Sequence, residues 1–138
     1  MANSRIKEEI KLKLVEYFNQ RSDIDAVILY GSFAKETFND RSDVDIAVHT
    51  PAPLSFDTLS EIRVALSLLC SREIDVADLS KAEGIFLYQI MTTGERIKFN
   101  HEVFHKYSMK ALYFYEDYLP IIRACRKEKM QRITEGTF

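Results

Sequence analysis

Two short clusters in this chain of 138 residues carry side chains suited to phosphate and metal chemistry. Gly31-Ser32 stops the apolar run Ala26-Val27-Ile28-Leu29-Tyr30. Glycine has no Cβ and lets a phosphate come close to the backbone. Serine adds a hydroxyl, and a helix beginning at Ser32 offers unpaired amides, so the pair is a candidate phosphate seat. After ten intervening residues stands Asp43-Val44-Asp45. Two apart on a strand, these carboxylates leave the same face, roughly 6 to 7 Å apart at the backbone. They can converge on a hard cation such as Mg²⁺, which takes one or two carboxylates and completes its shell with substrate phosphates and water. A lone D-x-D is usually a solvated edge and a lone Gly-Ser only a turn. Here Val44, Ile46 and Val48 commit one face of the strand to the core, which leaves the other to the carboxylates. The combination suits metal-assisted phosphoryl or nucleotidyl transfer.

Other stretches with chemical potential have simpler explanations. His101-Glu102-Val103-Phe104-His105 fits the zinc motif H-E-x-x-H. Its first His would stand in a frayed first turn, and Glu116 or Asp117 lies about three turns beyond His105, too far to meet the same zinc. Tyr107, Tyr113, Phe114, Tyr115 and Tyr118 could stack bases, but helical spacing makes them core candidates first. Arg123, Arg126, Lys127, Lys129 and Arg132 form a basic run that reads as a solvated helix face, with a partner surface as the minority reading.

The elements that must position the clusters alternate along the chain. Ile6, Ile10, Leu14 and Phe18 recur at helical spacing and predict a helix over 5–19. Residues 26–30 and 44–48 read as buried strands, and Glu73-Ile74-Asp75-Val76-Ala77 alternates as a third. Between the last two, Leu59, Ile62, Leu66 and Leu69 mark a helix capped by Ser55. Ser80-Lys81-Ala82-Glu83 has the form of a capping box for a helix running to Gly94, a good C′ residue. A short strand over 95–99 follows. Asn100 then caps a helix whose Phe104, Tyr107, Ala111, Tyr115, Tyr118 and Ile122 share a face, with Pro120 breaking or kinking it. The order predicts an α/β fold, a sheet covered by helices, as one domain over 1–138 with a C-terminal helical segment at about 101–133.

Composition bounds the function. At 46% hydrophobic and 29% charged, with four Gly and three Pro, the chain is an ordinary globular sequence. Nineteen basic and twenty-one acidic residues give a net charge of −2, which argues against stable nucleic-acid binding. No window approaches the ~20 apolar residues of a membrane span, and no apolar signal core opens the chain, so a cytoplasmic protein is expected. Cys70 and Cys125 lie apart in apolar stretches and read as buried free thiols.

Gly31-Ser32, ten residues and Asp43-x-Asp45 together reproduce G-S-x10-D-x-D, and in this the chain resembles the polymerase-β-like nucleotidyltransferase superfamily. The resemblance implies a short mixed β-sheet flanked by helices and a third carboxylate on a later strand. Asp75, between Ile74 and Val76, is the candidate for it, and Asp78 is the rival. Lys35 stands where many relatives have Arg. Further implications are a nucleotide held at Gly31 and Ser32, two Mg²⁺ ions held by Asp43, Asp45 and Asp75, and departure of pyrophosphate. In its small size the chain is similar to minimal nucleotidyltransferases of the MntA antitoxin type, which leave little surface for an acceptor. That similarity implies an antitoxin that transfers AMP from ATP to a tyrosine of a HEPN-domain RNase toxin, within a hetero-oligomer. Alternatives are an aminoglycoside-type transferase acting on a small alcohol and an antitoxin that only binds.

Overall fold

The structure is a computed structural model that describes residues 2–35 and 43–136. Helix α1 (Ala2–Asn19) leads into strand β1 (Ala26–Tyr30), a 3₁₀ turn (Ser32–Lys35) and strand β2 (Val44–His49). Then come α2 (Phe56–Cys70), β3 (Ile74–Asp78), α3 (Gly84–Thr93), β4 (Glu95–Lys98), α4 (His101–Asp117) and α5 (Leu119–Thr134). The four strands lie in the order β3-β2-β1-β4. β1 runs antiparallel to β2 and β4, whereas β2 and β3 are parallel, so the sheet is mixed as expected. Among the described residues no helix is long and apolar enough to cross a membrane.

Alternation along the two central strands fills both faces of the sheet. Val27, Leu29, Val44, Ile46, Val48 and Ile74 point to one side, where Leu14 and Phe18 of α1 and Ile62 and Leu66 of α2 close over them. Ala26, Ile28 and Ala47 point to the other, under Leu87 and Ile90 of α3 and Phe104 and Tyr107 of α4. Burial on both faces explains why β1 and β2 read as almost unbroken apolar runs. The helix caps at Ser55 and Asn100 form as expected, accepting from the Thr58 and Val103 amides at 3.1 Å each.

Four local expectations are corrected and one is made more definite. The capping box at Ser80 does not form: Asp78 accepts from both the Ser80 amide and its hydroxyl, which closes a 3₁₀ turn, and α3 begins only at Gly84 without a side-chain cap. Gly94 is not left-handed. It is required because a Cβ there would lie 2.4 Å from Ile28 Cγ2 and 2.5 Å from the Ile90 carbonyl oxygen, so the end of α3 sits tight against β1. The terminal helix does break near Pro120: it is two helices parted at Tyr118, with Pro120 in the first turn of α5, where its missing N–H costs nothing. Of the aromatic run, Tyr107 is buried, Phe114 and Tyr115 are half-buried, and Tyr113 and Tyr118 are exposed. Cys125 is also exposed, because α5 buries none of its residues, while Cys70 is buried in the core.

Candidate active site

The antiparallel and parallel pairings meet at one end of β2. Asp45 lies opposite Tyr30 of β1 and, on its other side, directly beside Asp75 of β3. Residues in register on adjacent strands stand about 4.8 Å apart and share a face, here the one covered by α3 and α4. Asp43 precedes β2 instead of lying on it, because the ladder begins at Val44, whose amide donates to the Glu73 carbonyl at 3.0 Å. Asp78, at the far end of β3 opposite Val48, keeps its carboxylate on Ser80. The parallel register therefore brings Asp75, and not Asp78, to Asp45.

Gly31 follows Tyr30 with φ +78, a conformation that favours glycine. A Cβ built there would lie 2.4 Å from Asp45 Oδ2, so the Asp45 carboxylate fills the space a side chain would need. The Gly-Ser turn and the Asp45 carboxylate are thus in contact. Beyond the turn, Phe33 is fully buried in the core and anchors the 3₁₀ segment, while Ser32 is exposed. Lys7 of α1, itself buried, donates to the Ala34 carbonyl at 2.9 Å and pairs with Glu95 of β4, fastening the turn from below.

The electrostatics follow from this crowding. Burial, then the charges of Asp75 and Asp43, and a hydrogen bond with Asp75 push the Asp45 carboxyl up to about 6. Burial and the same carboxylates, Asp45 and Asp75, push the Tyr30 phenol up to about 12. Among the described residues, the charged groups acting on Asp45 are the carboxylates of Asp75 and Asp43. Such a cluster suits a cation that arrives with its own ligands. Among the described residues no three His, Cys, Asp or Glu side chains form a complete metal cage. Mg²⁺ needs none, because it is typically held by one or two carboxylates plus substrate phosphates and water. The donor set at Asp45 and Asp75, with Asp43 beside them, fits it.

Other residues singled out in the sequence lie elsewhere. The Lys35 side chain falls outside the described residues, as do residues 36–42 of the ten-residue spacer. His101 and His105 stack one turn apart at 6.4 Å on an exposed face of α4, with His101 also against Phe99. The basic residues of α5 are all exposed, and Arg132 pairs with Glu128 at 2.6 Å.

Residues 12–102 match the family model described as Polymerase beta, Nucleotidyltransferase. The chain belongs to this nucleotidyltransferase family. A sequence comparison with curated proteins gives no match. Solved structures with this fold include a toxin–antitoxin structure with AMP-PNP, 21% identical, with a TM-score of 0.72 over 87% of this chain and 98% of the other. Another is a tri-AMPylated Shewanella oneidensis HEPN toxin in complex with its MNT antitoxin, at 18% identity and a TM-score of 0.68 over 90% and 98% of the chains. A MntA-HepT toxin–antitoxin structure is 20% identical, with a TM-score of 0.64 over 92% and 98%. These likenesses establish the nucleotidyltransferase fold. Within it, sequence reasoning missed two residues that shape the site. Tyr30 carried a signal, as the last residue of its strand before the Gly-Ser turn. Lys7 carried none, because its contacts at Ala34 and Glu95 are 27 and 88 residues away in the chain.

Proposed function

We propose that this nucleotidyltransferase is a Mg²⁺-dependent protein adenylyltransferase that moves AMP from ATP to a tyrosine of a HEPN-type toxin and so neutralises it. The observation that carries the reading is Asp45 held between the Gly31 turn and Asp75, which puts a phosphate seat in contact with a carboxylate cluster. The partner is supported by the similar structures, one with AMP-PNP and one containing a tri-AMPylated HEPN toxin.

In this mechanism the Gly31-Ser32 backbone and the Ser32 hydroxyl receive the triphosphate. Asp43 and Asp45 would hold Mg²⁺ toward the nucleotide, and Asp75 would hold a Mg²⁺ ion toward the incoming hydroxyl. When bound, Mg²⁺ neutralises charge on the transferring phosphoryl group and lowers the pKa of the attacking hydroxyl. The tyrosine oxygen bonds to the α-phosphorus, the bond from that phosphorus to the β-bridging oxygen breaks, pyrophosphate leaves, and the phenolic proton passes to solvent. Lys7, through Ala34, keeps the phosphate seat aligned with the carboxylates.

The test is transfer from α-phosphate-labelled ATP, with Mg²⁺, to a lysate and to any HEPN protein encoded beside this chain. Label on that protein, lost in Asp43→Ala/Asp45→Ala, is the expected result. Label on a small alcohol instead would replace the protein acceptor, and protection from the toxin without label in either form would overturn the enzymatic reading.

A further inference from the structure

On the same sheet face as the carboxylates, a cavity of about 160 Å³ opens between the end of β1 and α3, lined by Tyr30, Gly31, Phe86, Gln89, Ile90 and Thr93. Resting on the nucleotidyltransferase reading above, we infer that this cavity receives the base of the nucleotide and that Gln89 selects adenine over guanine. Position comes first. Gly31 belongs both to the phosphate seat and to the cavity wall, and Tyr30 is the register partner of Asp45. A nucleoside leaving the seat on this side enters the cavity.

Size and chemistry narrow the occupant. The space is about half the lower limit of ~300 Å³ typical for a whole drug-sized ligand. It fits one planar ring system while the phosphates stay outside, over the turn. The wall carries no charged side chain, which disfavours an anionic group and suits a neutral heterocycle. Tyr30 and Phe86 meet edge to face with centroids 5.6 Å apart, and Phe86 remains 42% exposed, leaving aromatic surface for a stacked base.

The polar groups are few and unequal. Phe86, Gln89 and Thr93 share one side of α3 at helical spacing. The Thr93 hydroxyl is committed to the Gln89 carbonyl at 2.6 Å. Among the described residues the Gln89 side-chain amide has no hydrogen-bond partner, so it can both donate and accept. Adenine offers a donor and an acceptor on one edge, N6 and N7, which an amide satisfies in a bidentate pair. Guanine offers two acceptors there, O6 and N7, and leaves the amide oxygen facing an acceptor.

The experiment is calorimetric titration, with Mg²⁺, of ATP, GTP and inorganic tripolyphosphate into the wild type, Gln89→Leu and Phe86→Ala. In Gln89→Leu the preference for ATP over GTP is expected to fall by about 5- to 150-fold. Phe86→Ala is expected to weaken both nucleotides alike, and both variants to bind tripolyphosphate as the wild type does. The inference is overturned if both variants keep wild-type nucleotide affinities and ratio, if both lose tripolyphosphate, or if they bind nucleotide normally yet fail to label the acceptor, which would seat the acceptor here. A wild type that binds neither nucleotide nor tripolyphosphate overturns the nucleotidyltransferase reading itself, and this inference with it.

Discussion

Gly31 shows how one backbone angle couples two parts of the site. Its φ of +78 turns the chain out of β1, and the absence of a side chain leaves room for Asp45 Oδ2. Alanine there meets both penalties. The left-handed conformation costs about 1–3 kcal/mol for a residue with a Cβ, and the new methyl group displaces the carboxylate. Gly31→Ala is therefore expected to lower unfolding free energy by at least that range in urea titration and to abolish nucleotide transfer. A variant of normal stability and normal transfer would show that the Asp45 carboxylate does not need its present position.

At the level of elements, the phosphate-seat turn depends on an ion pair that joins the first helix to the last strand. Lys7 and Lys11 of α1 both reach Glu95 of β4, with Lys11 at 3.1 Å. Burial alone would raise the Glu95 carboxyl, but the hydrogen bonds from Lys7 and Lys11 outweigh it and hold its pKa below the usual value of 4.5. A depressed carboxylate binds fewer protons in the folded state than in the unfolded one. Its stabilisation is present above about pH 4.5 and lost as pH falls through the folded value. Urea unfolding measured from pH 7 down to pH 3 is expected to show this acid loss, and Glu95→Gln to be less stable at pH 7 with a flatter acid limb. An acid limb unchanged in Glu95→Gln would assign the loss to other carboxylates.

Across the whole molecule, stability and the candidate site are concentrated in the sheet and its four covering helices. α5 contributes no buried residue and meets the body mainly through α4. Its apolar side chains Ile121, Met130 and Ile133 are each more than half exposed. Removing residues 119–138 is expected to shift Tm by no more than about 3 °C, since losses confined to exposed surface are small. A large drop in calorimetric Tm would mean that α5 is held more firmly than its burial indicates.

Much of this was legible in the chain because it is local chemistry. Apolar runs marked β1 and β2, periodicity marked α1, and single cap residues set the starts of α2 and α4. The G-S-x10-D-x-D spacing placed a phosphate seat and two carboxylates in one neighbourhood before any strand was paired. Tertiary structure decided what depends on register and close approach. Alternation with Ile74 and Val76 singled out Asp75 over Asp78, but only the parallel register of β3 on β2 sets it directly beside Asp45. Ser80 looked like a helix cap until Asp78 took its hydroxyl, and Gly94 looked like a left-handed stop until Ile28 was packed beside it. Lys7 reads as one more surface lysine of an amphipathic helix; only the folded chain brings Ala34 and Glu95 to its ammonium group. Spacing along the chain fixes which groups a segment carries, whereas contacts between segments distant in sequence arise only when the sheet and its helices close around a shared core.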